Sequence, residues 1–137
     1  MNYFEAFIAV SEDSPVGAGT VPPTRGAKQT VAARQYDMLS GHPYQYTQED
    51  VLFESSTLVR DNPEVTAEEK VSMRKEFFSK SQACLRTSAL GKSYGWGIHF
   101  DENGKAAIYG VESKEYERLK HDSSLAQTRA MRSTRQK

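Results

Sequence analysis

Around Asn103-Gly104 the chain alternates: Trp96, Ile98 and Phe100 occupy every second position before the dipeptide, and Ala107, Tyr109 and Val111 do so after it. Asn-Gly tolerates the positive φ that a two-residue type I′ turn demands, so the segment reads as a β-hairpin. Such a turn would pair Glu102 with Lys105, Phe100 with Ala107, Ile98 with Tyr109 and Trp96 with Val111, setting the large apolar side chains on one face. No other stretch constrains the fold as tightly, because turn chemistry and hydrophobic period agree. On the second face His99 would pair with Ile108 and Gly97 would stand opposite Gly110, leaving the strands bare beside an imidazole. A packed helix or a ligand could fill that gap, with Tyr94, Arg86 and Lys92 as neighbours from the preceding loop.

A two-stranded hairpin is marginal in water and needs a third strand. Residues 3–10, rich in aromatic and β-branched side chains and bounded by a turn cluster at 11–15, supply it. Gly17, Gly19, Pro22, Pro23 and Gly26 then exclude helix or central strand, leaving a long loop over 11–28. Helical spacing follows over 30–40, where Ala32, Tyr36 and Leu39 share a stripe and Gly41 and Pro43 end it. A second helix starts after Thr47, with Glu49 and Asp50 in its first turn and Val51, Leu52, Leu58 and Val59 at helical spacing, and stops at 61–63. A third runs from Thr66, with Glu69 completing a capping box, to about Lys80, placing Val71, Phe77 and Phe78 near one face. A last helix begins near Ser113 and carries Tyr116 and Leu119. The expected class is α+β: a small antiparallel sheet made of the N-terminal strand and the hairpin, covered by three to four helices.

With 137 residues the chain is one domain's worth of material. We expect a globular unit over 1–121 and a basic tail over 122–137, flexible or partly helical. Eighteen Lys and Arg balance eighteen Asp and Glu, yet the tail is +3 and the first 121 residues are −3. Arg129, Arg132 and Arg135 recur every third residue, a stripe that suits either weak nucleic-acid binding or pairing with the acidic body. The lone Cys84 cannot form an internal bridge and suits a reducing compartment. Residues 1–10 contain Glu5 and no cationic leader, and nowhere do eighteen apolar residues run together, so a cytoplasmic protein without a membrane partner is expected.

Three constellations carry chemistry. Arg25, Gly26, Lys28 and Thr30 lead into a helix N-terminus whose free N–H groups attract anions, although glycines in a surface loop also simply serve turns. The phosphate-loop spacing is not met: Ala27 separates Gly26 from Lys28, and Gly91-Lys92-Ser93 has Arg86 where the first glycine should be. Cys84, His99 and Asp101 are the residue types of a thiol nucleophile, its base and an orienting carboxylate, although a free cysteine is most often a core residue. Tyr44 and Tyr46 place two rings on a loop before a helix. His42, His99 and His121 show no metal-ligand spacing, so neither a metal nor a cofactor is expected.

Several blocks are longer than any of these motifs: Gly19-Thr20-Val21-Pro22-Pro23 with Gly26 and Lys28, Pro43-Tyr44 with Tyr46-Thr47, and Glu49-Asp50-Val51-Leu52-Phe53-Glu54. They continue in Phe77-Phe78-Ser79-Lys80, Gln82-Ala83-Cys84-Leu85-Arg86 and Tyr94-Gly95-Trp96-Gly97-Ile98-His99-Phe100-Asp101. Over nearly its whole length the chain resembles a bacterial family that carries only a domain-of-unknown-function label. The resemblance implies no activity, cofactor or site residue.

The residues themselves point to a small cytoplasmic binding or interaction module. Its anion or small-molecule site would draw on Arg25, Lys28, Thr30, Arg86, Lys92, Tyr94 and His99. One alternative is an enzyme of unidentified reaction using His99 with Cys84, Arg86 or Asp101, and another is nucleic-acid binding through the tail.

Overall fold

In the computed structural model, which describes residues 2–24 and 29–133, a five-stranded mixed sheet is combined with six α-helices, an α+β fold. The strands are β1 (Ala6–Ala9), β2 (Tyr46–Thr47), β3 (Trp96–Phe100), β4 (Lys105–Gly110) and β5 (Ala126–Arg129), in the spatial order β2-β4-β3-β1-β5. The helices are α1 (Val31–Gly41), α2 (Gln48–Glu54), α3 (Thr57–Arg60), α4 (Ala67–Phe78), α5 (Ala89–Lys92) and α6 (Lys114–Lys120). Each opens on a hydroxyl that accepts a first-turn N–H: Thr30, Thr47, Ser56, Thr66, Ser88 and Ser113 in turn. Among the described residues no helix is long and apolar enough to cross a membrane.

The hairpin forms where expected, one residue out of the expected register. Asp101, not Glu102, stands at the strand end: its N–H donates to the Lys105 carbonyl at 2.9 Å, and its Oδ1 accepts from Asn103 N and Lys105 N, each at 2.9 Å. The aspartate thereby stabilises a three-residue loop ended by Gly104 at φ +78°, in place of the two-residue turn that Asn-Gly alone would favour. Phe100 consequently pairs with Ala106, Ile98 with Ile108, His99 with Ala107, Gly97 with Tyr109 and Trp96 with Gly110.

This register divides the apolar residues between two faces. Ala6, Ile8, Ile98, Phe100 and Ala106 bury one face against Met38 and Leu39 of α1, Val51 of α2, Leu90 of α5 and Leu85. Phe7 and Ala9 bury the other against Tyr116 and Leu119 of α6, with Tyr109 packed alongside. The expected single apolar face is thus a core on each side of the sheet.

Three further expectations change. The helix foreseen from Thr47 to about residue 60 breaks into α2 and α3, because Ser55 Oγ turns back to the Val51 carbonyl at 2.6 Å and Ser56 caps a new start. Val71, placed near an apolar face, is 71% exposed, and α4 is held instead by Lys70–Glu54 and Arg74–Asp50 ion pairs and by Phe77 against the Phe53 ring. The tail does not form a helix at 126–129: it is strand β5, parallel to β1, so the sheet is mixed and not wholly antiparallel.

Candidate functional site

The facing glycines expected around His99 do not exist, because Gly97 lies opposite Tyr109 and Gly110 opposite Trp96. The space over Gly97 is closed as well. A Cβ there would come within 2.6 Å of both the Phe7 and Tyr116 rings, so α6 fills the gap from within the same chain.

His99, half-buried, turns instead to the loop before β2. The Tyr44 hydroxyl lies 2.8 Å from His99 Nδ1 and 2.7 Å from the Tyr109 hydroxyl, and its backbone N–H donates to the Ala106 carbonyl at 2.8 Å. Tyr44 adopts φ 60°, a left-handed conformation that a bulky residue holds only when its surroundings fix it. Burial lowers the His99 pKa, with Asp101 and Asp122 opposing the shift and Arg118 reinforcing it. Burial, followed by the Tyr109 hydrogen bond, raises the Tyr44 phenol. A neutral His99 accepting from Tyr44, with Tyr109 donating to Tyr44, satisfies both shifts. The cluster clips the loop to the sheet.

Tyr44→Phe strips two partners at once and is expected to lower the unfolding free energy by about 1–3 kcal/mol in urea titrations. A change within error would mean the clip contributes nothing. The pH dependence follows from the lowered imidazole pKa. Below about pH 6.5 the unfolded chain takes up a proton that folded His99 still refuses, so stability is full above that pH and falls as pH drops toward the folded value. His99→Gln should flatten that slope, and an unchanged slope would assign it to other groups.

The remaining expected site residues are dispersed. Cys84 receives a long hydrogen bond, 3.6 Å, from Tyr3, whose ring packs on Phe100, so the thiol sits on the face opposite His99. Asp101 closes the hairpin loop, Thr30 caps α1 and Lys92 ends α5. The Tyr94 carbonyl accepts from Thr20 N at 2.8 Å, and Trp96 Nε1 donates to the Thr20 carbonyl, joining the glycine-rich loop to the start of β3. Arg25 and Lys28 lie outside the described residues, as does Arg135.

What the structure does bring together is Arg86 with Arg129 and Arg132. In a parallel pair successive residues direct both backbone groups alternately toward and away from the neighbour. Ala126 N donates to the Glu5 carbonyl at 2.9 Å and Ala130 N to the Ala9 carbonyl at 2.8 Å, so Ala126, Thr128 and Ala130 face β1 while Gln127, Arg129 and Met131 face outward. Buried Gln48 accepts the Leu85 N–H at 2.8 Å, which fixes the adjoining turn beside that outer edge. There the Arg86 carbonyl accepts from Met131 N at 2.8 Å, and Arg86 Nε donates to the Arg129 carbonyl at 2.7 Å. On the other wall Glu12 lies 3.7 Å from Arg129 and 3.1 Å from Arg132, and Asp13 accepts the Ser133 N–H at 3.0 Å.

These contacts enclose an open groove of about 840 Å³ along β5. Among the described residues that line it, Arg86, Lys120, Arg129 and Arg132 stand with Glu12 as the one carboxylate, a formal charge of +3. Among the described residues neither Arg86 nor Lys120 forms an ion pair. Guanidinium forks with free donors are suited to carboxylate and phosphate oxygens. No group of three or more potential metal ligands converges among the described residues.

Over residues 1–136 the chain matches DUF6157, described as a family of unknown function. It belongs to that family. For this DUF6157 protein, comparisons with curated proteins and with solved structures returned no match. Glu12, Lys120 and Gln127 escaped the sequence reading of this family member. Only the tail's excess of arginine signalled the region, since Ala126-Gln127-Thr128-Arg129 has no apolar alternation to mark a strand.

Proposed function

We propose that this protein is a small cytoplasmic binding module that holds an anionic ligand in the groove beside β5. The observation that carries the reading is the convergence of four cations on one open strand edge. Cations are common on edge strands as a guard against aggregation, and Arg129 alone would suit that role. Arg86 supports the stronger reading, since it comes from 43 positions earlier in the chain and is anchored there through Gln48. The lining offers positive charge and donors without a thiol or imidazole, which favours binding over catalysis. The single free thiol of Cys84 supports a reducing compartment.

Three anionic probes test the reading: pyrophosphate by calorimetry, and fluorescent octaglutamate and oligothymidylate by anisotropy, each at low and physiological salt. At least one should bind wild type, weaken with salt, and lose affinity for the Arg86→Glu/Arg129→Glu variant. No binding by any probe, or equal binding to the variant, would overturn it.

A further inference from the structure

We infer that the groove takes an extended acidic peptide, which adds to the outer edge of β5 as a further strand. This rests on the anionic-ligand reading above and names the ligand's class. The floor of the groove is peptide backbone. Of the outward-facing groups of β5 and the residues that follow it, the Arg129 carbonyl is taken by Arg86 Nε and Met131 N by the Arg86 carbonyl. The Gln127 N–H, the Gln127 carbonyl and the Arg129 N–H have no hydrogen-bond partner among the described residues. Two donors flanking an acceptor form a pattern that another peptide backbone answers, offering a carbonyl, an N–H and a carbonyl in turn. A phosphodiester chain presents acceptors only and would leave the Gln127 carbonyl unanswered.

The side chains select charge. β5 is the last strand of the sheet, so among the described residues no further strand stands on that side. It runs between Lys120 of α6 and the Arg86 turn, with Arg129 and Arg132 close by. Acidic side chains on an extended peptide alternate between the two faces, and cations stand on both sides of the edge to receive them. Glu12 already holds Arg129 and Arg132 at 3.7 and 3.1 Å, so an incoming carboxylate shares a charge network that exists before it arrives. The Gln127 side chain is tied back, its Nε2 donating to the Leu119 and Asp122 carbonyls at 2.8 and 3.1 Å, which keeps it clear of its own free backbone groups. The rest of the chain supplies the fixed partner: β5 is bonded along its inner edge to β1 and needs no rearrangement to accept a strand.

The test leaves the protein unaltered and changes the probe. A fluorescent octaglutamate, whose carboxylates fall on both faces when it is extended, is compared with the same peptide N-methylated at alternate residues, in both phases of alternation, which keeps its charge and removes half its N–H donors each time. Amide exchange of the protein is followed in parallel. Binding of the parent peptide, with one N-methylated phase weakened about tenfold or more and slowed exchange at Gln127 and Arg129, is the expected result. Equal binding of the parent and both methylated peptides would overturn strand addition while leaving the groove an anion site. Oligothymidylate binding without peptide binding would overturn it in favour of a nucleic acid, and the anionic reading would again stand. Failure of the peptides, oligothymidylate and pyrophosphate alike would overturn both.

Discussion

Phe7→Ala is expected to lower the unfolding free energy by about 3–5 kcal/mol, at the upper end of core truncations. Phe7 is fully buried on the α6 side of the sheet and meets Tyr116 edge-on, with ring centroids 5.2 Å apart. Its neighbour across that face is Gly97, which has no side chain to collapse into the space, so the cavity stays open. Tyr116 would also lose the ring that steadies it while its hydroxyl accepts the buried Val10 N–H at 2.8 Å. A typical domain holds only about 5–15 kcal/mol in total, so this one truncation removes a large share. Urea unfolding of wild type and variant decides the point. A loss below about 1 kcal/mol, less than the removal of two methylene groups, would contradict the packing of α6 on the sheet.

The second large effect concerns the groove. Arg86→Glu with Arg129→Glu changes its formal charge from +3 to −1 and should weaken whichever anionic probe binds by about a hundredfold or more. Two charge-assisted hydrogen bonds to the ligand disappear, each worth roughly a tenfold factor, and the new repulsion adds to that. Stability should hold much better than affinity. Arg129 is exposed and its pair with Glu12 is a surface one, of the kind that contributes little. Arg86 donates from its side chain to the Arg129 carbonyl, but its own carbonyl bond to Met131 is a backbone contact that survives substitution. Weakened binding with intact unfolding would locate the effect in the groove, whereas equal binding by both proteins would remove these arginines from it.

Most of the fold was legible because it rests on local chemistry. The caps at Thr47 and Thr66 announced two helix starts, two more were placed near residues 30 and 113, and the alternation on either side of Asn103-Gly104 announced the central strands. The register was not legible from the dipeptide, since Asp101 captures the Asn103 and Lys105 N–H groups and lengthens the loop by a residue. That one-residue shift moves Tyr109 to the His99 face, and it explains why the expected glycine gap is a closed contact with α6. β5 was hidden for a different reason. Its side chains are polar and mostly exposed, and what makes it a strand is backbone pairing with β1 across about 120 residues of chain, which no local pattern records. The arginines of the tail were visible, but their meeting with Arg86 depends on that pairing, so two readings that were separate in the sequence become one site in the fold.

The assignment of that site is tested most directly by a nitrogen–proton correlation spectrum of the whole chain, titrated with octaglutamate. Saturable shifts confined to Arg86, Lys120 and the run from Gln127 to Arg132 are the expected result. Shifts centred on Tyr44, His99 and Tyr109, or a spectrum that does not move, would contradict it.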